Sequence, residues 1–493
     1  MEQPLWQPNR DDISQCQLFH FMQHINHTYQ QHLGHYTDLH RWSIEHNDAF
    51  WQALWNFSNI IASNEPTTIK HTTTTPEKTQ WFLGATLNYA ENLLTHPPHQ
   101  IAIEYQTEAG DQQTLSYGEL QQKVNNVAAY LKSIGLQTGD TVTGIMSNNP
   151  NTIIAMLACS SIGIIWSSCS PELGFNSCLD RLKQVKPKLI LAQLEHQYNG
   201  KSYNHSEKIQ QLAQAIAPPH WILIDNTLQL SITTPYSSCI DYEKIPESSQ
   251  VISYTQLPFD HPLVILFTSG TTGAPKCLVH GAGGTLLQHI KEHRLHTNLR
   301  PKEKIFFYTT TSWMMWNWLV SGLATGATIV LYDGAPTHPK THRLLSLIEQ
   351  YKIHYFGVGA KLVETWQYKK TSPKDRYDFS SLKSLLSTGS VLLPGAYDYL
   401  QQQVKPNLQI ASISGGTDIL SCFALGNPMM PVYKGQLQSL GLGMDVQVFS
   451  EEGQTIIDQE GELVCCNCFP SRPLYFLNDT DGSRYHMAYY DLV

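Results

Sequence analysis

From Ile101 onward, short apolar runs alternate with helical stretches, and this alternation limits the possible folds more than any other feature of the 493 residues. IAIEY (101–105), TVTGIM (141–146), KLILAQ (188–193), HWILID (220–225), LVILF (263–267), ATIVLY (327–332) and LKSLLSTG (382–389) are short apolar runs with the length of buried strands. Between them lie helical segments such as 115–140, an amphipathic pattern that stops at Gly135. Strand–helix alternation of this kind predicts an α/β fold with parallel-rich sheets flanked by helices, and such sheets bind ligands at the carboxyl ends of their strands. The longest apolar stretch, IIAMLACSSIGIIW (153–166), is too short to span a bilayer. It is expected to be a buried helix, capped by Asn149 with Pro150 in its first turn.

Two regions flank this core. Residues 1–100 are rich in Gln, His, Asn and Trp and form a separate N-terminal region; HTTTTPEK (71–78) reads as a polar loop, followed by a helix starting near Asn88. The core is expected over 101–434. From 435 to 493 the runs MDVQVFS, QTIID and GELVCCNC alternate with period two around short polar turns, which predicts a small antiparallel β subdomain.

Composition excludes several classes of function. The formal net charge is −9, so the basic bias of a nucleic-acid binder is missing, and no nucleic-acid or membrane partner is expected. The first ten residues have no basic start followed by an apolar run, so no secretory signal is read. The ten cysteines are scattered apart from Cys465, Cys466 and Cys468. That trio is either a zinc site or reduced thiols on a strand, and no second paired knuckle supports zinc. A cytoplasmic location follows from reduced thiols and the absent signal.

The most informative stretch is LVILFTSGTTGAPKCLVHGAGG (263–284). An apolar strand runs directly into Thr268, Ser269, Gly270, Thr271, Thr272 and Gly273, with Lys276 three residues beyond. Small side chains and exposed N–H groups suit a loop that wraps phosphate oxygens, and the lysine adds a cation. The spacing is not that of a Walker A loop, since Cys277 stands where a Ser or Thr would hold a metal. His280 follows closely, but it is one of 22 histidines.

TSGTTGAPK resembles the phosphate loop of the adenylate-forming superfamily. There the loop holds the β- and γ-phosphates of ATP while a carboxylate attacks the α-phosphorus. WFLGATLNYAENLL (81–94), TTTSWMMWNWLVSGLATGATIVLYDG (309–334) and SISGGTDI (412–419) narrow the resemblance, over about 42–493, to the acetoacetyl-CoA synthetases. The resemblance implies an acetoacetate–CoA ligase, a cytosolic enzyme of acetoacetate use for lipid or polymer synthesis, with ATP, Mg²⁺ and coenzyme A alongside acetoacetate. It assigns Lys276, Thr417 and Asp418 to catalysis, with Asp418 holding Mg²⁺. Gly389, Ser390 and Val391, with Ser414, Gly415 and Gly416, border adenine; a plain strand-to-helix loop is the other reading of 389–391. Trp313, Met314, Met315 and Trp316 form an acyl pocket or simply pack in the core. Gly415 stands where acetyl-CoA synthetases have a Trp over acetate, so the freed volume favours a longer acid. Arg181 either contacts CoA phosphates or belongs to a solvated helix face. The family pattern has Gly at Ser312, a departure here. Acetate, propionate or hydroxybutyrate ligation, or a non-catalytic nucleotide- or acyl-binding remnant, are the competing functions.

In this family, the segment matching 479–493 runs on to a Trp-x-His-Gly-Asp motif, a hinge and a C-terminal domain bearing a catalytic Lys. The sequence stops before them, so the remainder is expected either from a separately encoded fragment or from a longer sequence of which this is a part. The chain alone is expected to turn over little: losing one preorganised charge costs about 10²–10³ in rate. ATP–pyrophosphate exchange by the isolated chain tests this, and rates typical of the family contradict it.

Overall fold

The fold is taken from a computed structural model, which describes residues 3–225, 229–230, 232, 238–249, 253–268 and 275–491. Among these, two large twisted sheets carry the architecture. In the first, His220–Ile224, Leu189–Gln193, Thr141–Ile145, Ile165–Cys169 and Pro262–Thr268 are neighbours and run parallel. Lys276–Gly281 and Tyr475–Phe476 then add antiparallel strands at one edge. In the second sheet Gln409–Ser412, Ser384–Thr388, Tyr355–Gly359, Lys304–Phe307, Thr328–Asp333 and Ile101–Thr107 run parallel, and Gln112–Ser116 closes the edge antiparallel. The predicted strands occupy these positions, and the α/β class with parallel-rich sheets holds. Among the described residues no helix is long and apolar enough to cross a membrane.

Local sequence explains the helix ends. Ser116 and Glu119 form a reciprocal capping box at the start of Tyr117–Ser133. Asn149 caps Pro150–Ser161 by accepting from the Thr152 N–H. Every residue of Pro150–Ser161 except Asn151 is buried, so it lacks a wet face. The expected helix over 153–166 is shorter than read. It stops at Ser161, the chain turns at Gly163 (φ +78°), and Ile165–Cys169 joins the first sheet as a strand. Periodicity does not separate a buried helix from a buried strand when both are uniformly apolar, and only the glycine marked the break.

The flanking regions are less separate than the sequence implies. Helices Gln17–Thr28, Tyr36–Glu45 and Asn47–Ser58 bury Phe21, Trp42, Phe50, Trp51 and Trp55 in a hydrophobic cluster that continues through the core and on to Phe469. Backbone polar groups are satisfied across the same contact: the Gly443 N–H donates to Ser43 Oγ at 2.8 Å, and Asn47 Nδ2 donates to the Gly443 carbonyl at 3.2 Å. Near the C-terminus, Val446–Phe449 and Glu462–Cys465 pair antiparallel, while QTIID makes one bridge, Phe449 to Thr455. Among the described residues no group of three or more His, Cys, Asp or Glu is placed to hold a metal ion, so Cys465, Cys466 and Cys468 find no further ligand.

One helix breaks the apolar rule. Ala282–Ile290 continues as a wider π-helical turn, Lys291–His296, and both are buried although they carry His289, Lys291, Glu292, His293 and His296. Burial pushes the imidazoles down, His293 and His296 to about 3, and His280 in the preceding strand to about 4. These groups are neutral in the folded state at pH 7. Below pH 6.5 the unfolded chain binds protons that the native chain refuses, so stability is full above pH 6.5 and falls as the pH drops towards 4 and then 3. Each such histidine contributes up to about 1.4 kcal/mol of loss per pH unit in that window. Thermal unfolding between pH 7 and pH 4.5 is expected to show a steep fall in Tm that His293→Gln makes shallower; a flat profile contradicts the assignment.

Candidate active site

The phosphate-loop signature sits on an antiparallel hairpin at the edge of the first sheet. Thr268 ends one strand and lies opposite Lys276, which starts the other. Ser269, Gly270, Thr271, Thr272 and Gly273 lie outside the described residues. The Lys276 ammonium lies 5.7 Å from the centre of the Phe476 ring. On the other flank, the Arg181 guanidinium lies 5.2 Å from the Phe267 ring and donates to the Ser177 carbonyl at 2.8 Å. Arg181 therefore lies beside the hairpin, so a purely solvated helix face does not describe it. Gln184, one turn on, donates to the Pro275 carbonyl at 3.3 Å.

The strand leaving the loop reaches the second half of the site through His280. This imidazole is buried, and its Nε2 donates to the Thr417 carbonyl at 3.0 Å. Thr417 and Asp418 follow a short strand, Ser414–Gly416, that pairs antiparallel with Ser421–Leu425. Tyr489, on the helix Ser483–Tyr489, donates its hydroxyl to Asp418 Oδ1 at 2.5 Å. Burial, then the Asp418 charge, raises the Tyr489 phenol far above its ordinary value, so it is a donor at any working pH.

Facing this hairpin is the helix Met314–Ser321, preceded by Trp313. Thr311 Oγ1 donates to the Met146 carbonyl at 2.8 Å, and Ser312 Oγ accepts from the Ser170 N–H at 2.6 Å. These two bonds tie a loop of the second sheet onto strand ends of the first. The Ser312 hydroxyl gives a structural use to the one departure from the family pattern. Between helix and hairpin lies a cavity of about 80 Å³, with Trp313, Met314 and Met315 on one side and Gly389, Gly415 and Thr417 on the other.

The structure thus brings Trp313, Met314, Met315, Gly389, Gly415, Gly416 and Thr417 around one cavity. Trp316 does not join them: it is fully buried and its Nε1 donates to Asn148 Oδ1 at 3.1 Å. Ser390 and Val391 point to solvent, Val391 being 75% exposed. Ser414 is half-buried and outside the cavity wall. Gly415 has a steric reason to be glycine, since a Cβ there would lie 2.2 Å from the Ser421 carbonyl oxygen and 2.6 Å from Cys422 Cα. The missing side chain therefore serves hairpin closure. Gly389 adopts φ +86°, which lets the chain turn out of the strand Ser384–Thr388 at the cavity edge. Sequence reasoning missed Thr388, Ile413, Ser421 and Cys422, which also line the cavity, and Tyr489. Thr388 and Ile413 lie inside LKSLLSTG and SISGGTDI without being singled out there, Ser421 and Cys422 lie outside every quoted motif, and Tyr489 lies 71 residues from its partner.

Asp418 bears on the Mg²⁺ that the family implies. A hard cation of this kind is bound through one or two carboxylates together with substrate phosphates and water. With Tyr489 on Oδ1, the other carboxylate oxygen accepts no hydrogen bond among the described residues, so the donor set fits.

Comparisons with known proteins agree with this geometry. A family model described as AMP-binding enzyme matches residues 90–468, and one described as acetyl-coenzyme A synthetase N-terminus matches residues 36–93. The chain is 42% identical to the acetoacetyl-CoA synthetase of Gallus gallus over 93% of its own length and 70% of the relative's. It is 40% identical to the acetoacetyl-coenzyme A synthetase of Rhizobium meliloti, covering 99% of this chain and 76% of that one. The solved acetoacetyl-CoA synthetase from Streptomyces lividans superimposes with a TM-score of 0.94 at 38% identity, over 99% of this chain and 76% of the other. At this identity and coverage the chain belongs to the acetoacetyl-CoA synthetase family of AMP-binding, adenylate-forming acid–CoA ligases.

Proposed function

We propose that the chain is an AMP-forming acetoacetate–CoA ligase whose acid binds in the cavity between Trp313–Met315 and Gly415–Thr417. That cavity is the observation that carries the reading. At about 80 Å³ it suits an acid of a few heavy atoms, and the thioether and indole side chains of one wall suit its carbon chain. ATP binds across the opening, its β- and γ-phosphates on residues 268–273 and Lys276, its adenine beside Gly389–Val391 and Ser414–Gly416. An acetoacetate carboxylate oxygen attacks the α-phosphorus, the bond to the leaving pyrophosphate breaks, and acetoacetyl-adenylate forms. The CoA thiol then attacks the acyl carbon, AMP leaves, and the thiol proton passes to solvent. Arg181, beside the hairpin, is the proposed contact for CoA phosphates.

The residues contribute positioning and charge. Lys276 offsets the charge that develops on the phosphates. Mg²⁺, when bound, neutralises phosphate charge, and Asp418 is its proposed protein ligand. His280 stays neutral and holds the Thr417 backbone, so the turn bearing Asp418 keeps its place when the loop binds nucleotide.

ATP–pyrophosphate exchange measured with acetoacetate, acetate, propionate and 3-hydroxybutyrate tests the reading. Acetoacetate is expected to support the fastest exchange, and Lys276→Ala is expected to slow it by about 10²–10³. Equal or faster exchange with acetate contradicts the assigned acid. No exchange with any acid, together with no ATP–Mg²⁺ binding by calorimetry, contradicts the ligase reading and favours the remnant.

A further inference from the structure

Glu292 lies on the buried π-helical turn, outside the cavity, and has no exposure to solvent. Its carboxylate is met by four donors. Oε1 accepts from Gln288 Nε2 at 3.1 Å, from the Cys422 N–H at 3.2 Å and from the Ser421 hydroxyl. Oε2 accepts from Trp318 Nε1 at 2.8 Å. Three of these donors belong to the two walls of the proposed acid pocket, while Gln288 lies one turn back on the same helix. Trp318 is on the helix that presents Met314 and Met315, and Ser421 and Cys422 pair with Gly416 and Gly415.

A buried carboxylate is an expensive way to fill space, because a charge loses its hydration unless donors replace it. Simple packing would use a leucine or methionine. A carboxylate with one oxygen on each wall sets the distance between them, because each wall is bonded to a different end of the same rigid group. The π turn widens the helix by one residue, and such turns recur at functional sites. Here the Thr297 N–H reaches back five residues to the Glu292 carbonyl at 2.8 Å, so Glu292 accepts one of the bonds of the wide turn.

We propose that Glu292 is a positioning residue that sets the width of the acid pocket, and so the choice between acetoacetate and shorter acids. The inference rests on the ligase reading above. Glu292→Gln is the informative change because shape is kept and one acceptor becomes a donor. An amide nitrogen cannot accept from Trp318 Nε1, nor, if turned round, from the Cys422 N–H, so one wall is released whichever way the amide points.

The test is calorimetric binding of acetoacetyl- and acetyl-sulfamoyl adenosine, stable mimics of the two acyl-adenylates, to the full chain and its variants. The unaltered protein is expected to bind the acetoacetyl compound more tightly; if it binds neither, the ligase reading itself fails. In Glu292→Gln the ratio of the two affinities is expected to fall about tenfold, while affinity for ATP–Mg²⁺ alone stays unchanged. Trp318→Phe, which removes one arm of the same clamp, is expected to lower the ratio too, and the double variant to lower it no further than Glu292→Gln. If Glu292→Gln weakens both compounds equally, or Trp318→Phe leaves the ratio untouched, Glu292 is structural only and the inference is overturned.

Discussion

The hydrogen bond from His280 to the Thr417 carbonyl joins the two halves of the site. It runs from the strand that begins at Lys276 to the turn that carries Asp418; the imidazole is buried and the Thr417 end is half-buried. A carbonyl at that position needs a donor, since an unmet acceptor away from water costs about 1–3 kcal/mol. Supplying it from an imidazole held neutral by its surroundings avoids burying a charge. The strand and the Thr417–Asp418 turn are therefore joined through a single side chain, the His280 imidazole.

The same economy recurs around the cavity. Thr311 and Ser312 cross from one sheet to the other with hydroxyls, Thr388 Oγ1 donates to the Ile413 carbonyl at 2.8 Å, and Glu292 joins helix to hairpin. Apolar contact supplies most of the stability of a chain this large, but it is not directional. Hydrogen bonds fix where strand ends and turns stop relative to one another, which is what a small ligand senses. The helical turn bonded to the hairpin, Lys291–His296, likewise buries Lys291, Glu292, His293 and His296.

Much of this was legible in the sequence, for identifiable reasons. Strands such as Leu189–Gln193 and Ser384–Thr388 are short, apolar and bounded by polar turns, so period and length located them. Asn88 and Asn149 marked helix starts because capping is a local interaction. Motifs led to Met314, Met315, Gly415 and Thr417, which line one cavity although they are far apart in the chain. The limits were of two kinds. Uniform burial hid the break between Ser161 and Ile165, because neither helix nor strand there has a polar face. Long-range partnerships, such as Tyr489 with Asp418 or Glu292 with Trp318 and Cys422, leave no periodic trace. Trp316 shows the converse: it shares a motif with three cavity residues, yet its place in the helix turns it into the core.

The central claim is that one cavity, between the methionine helix and the glycine hairpin, receives the acyl group. A crystal structure of the protein with acetoacetyl-sulfamoyl adenosine bound tests it most directly. The account predicts the acyl chain against Met314 and Met315, with its carboxyl-derived carbon towards Thr417 and the adenosine leaving past Gly389. An acyl chain lodged elsewhere, with this cavity filled by side chains or water, contradicts it.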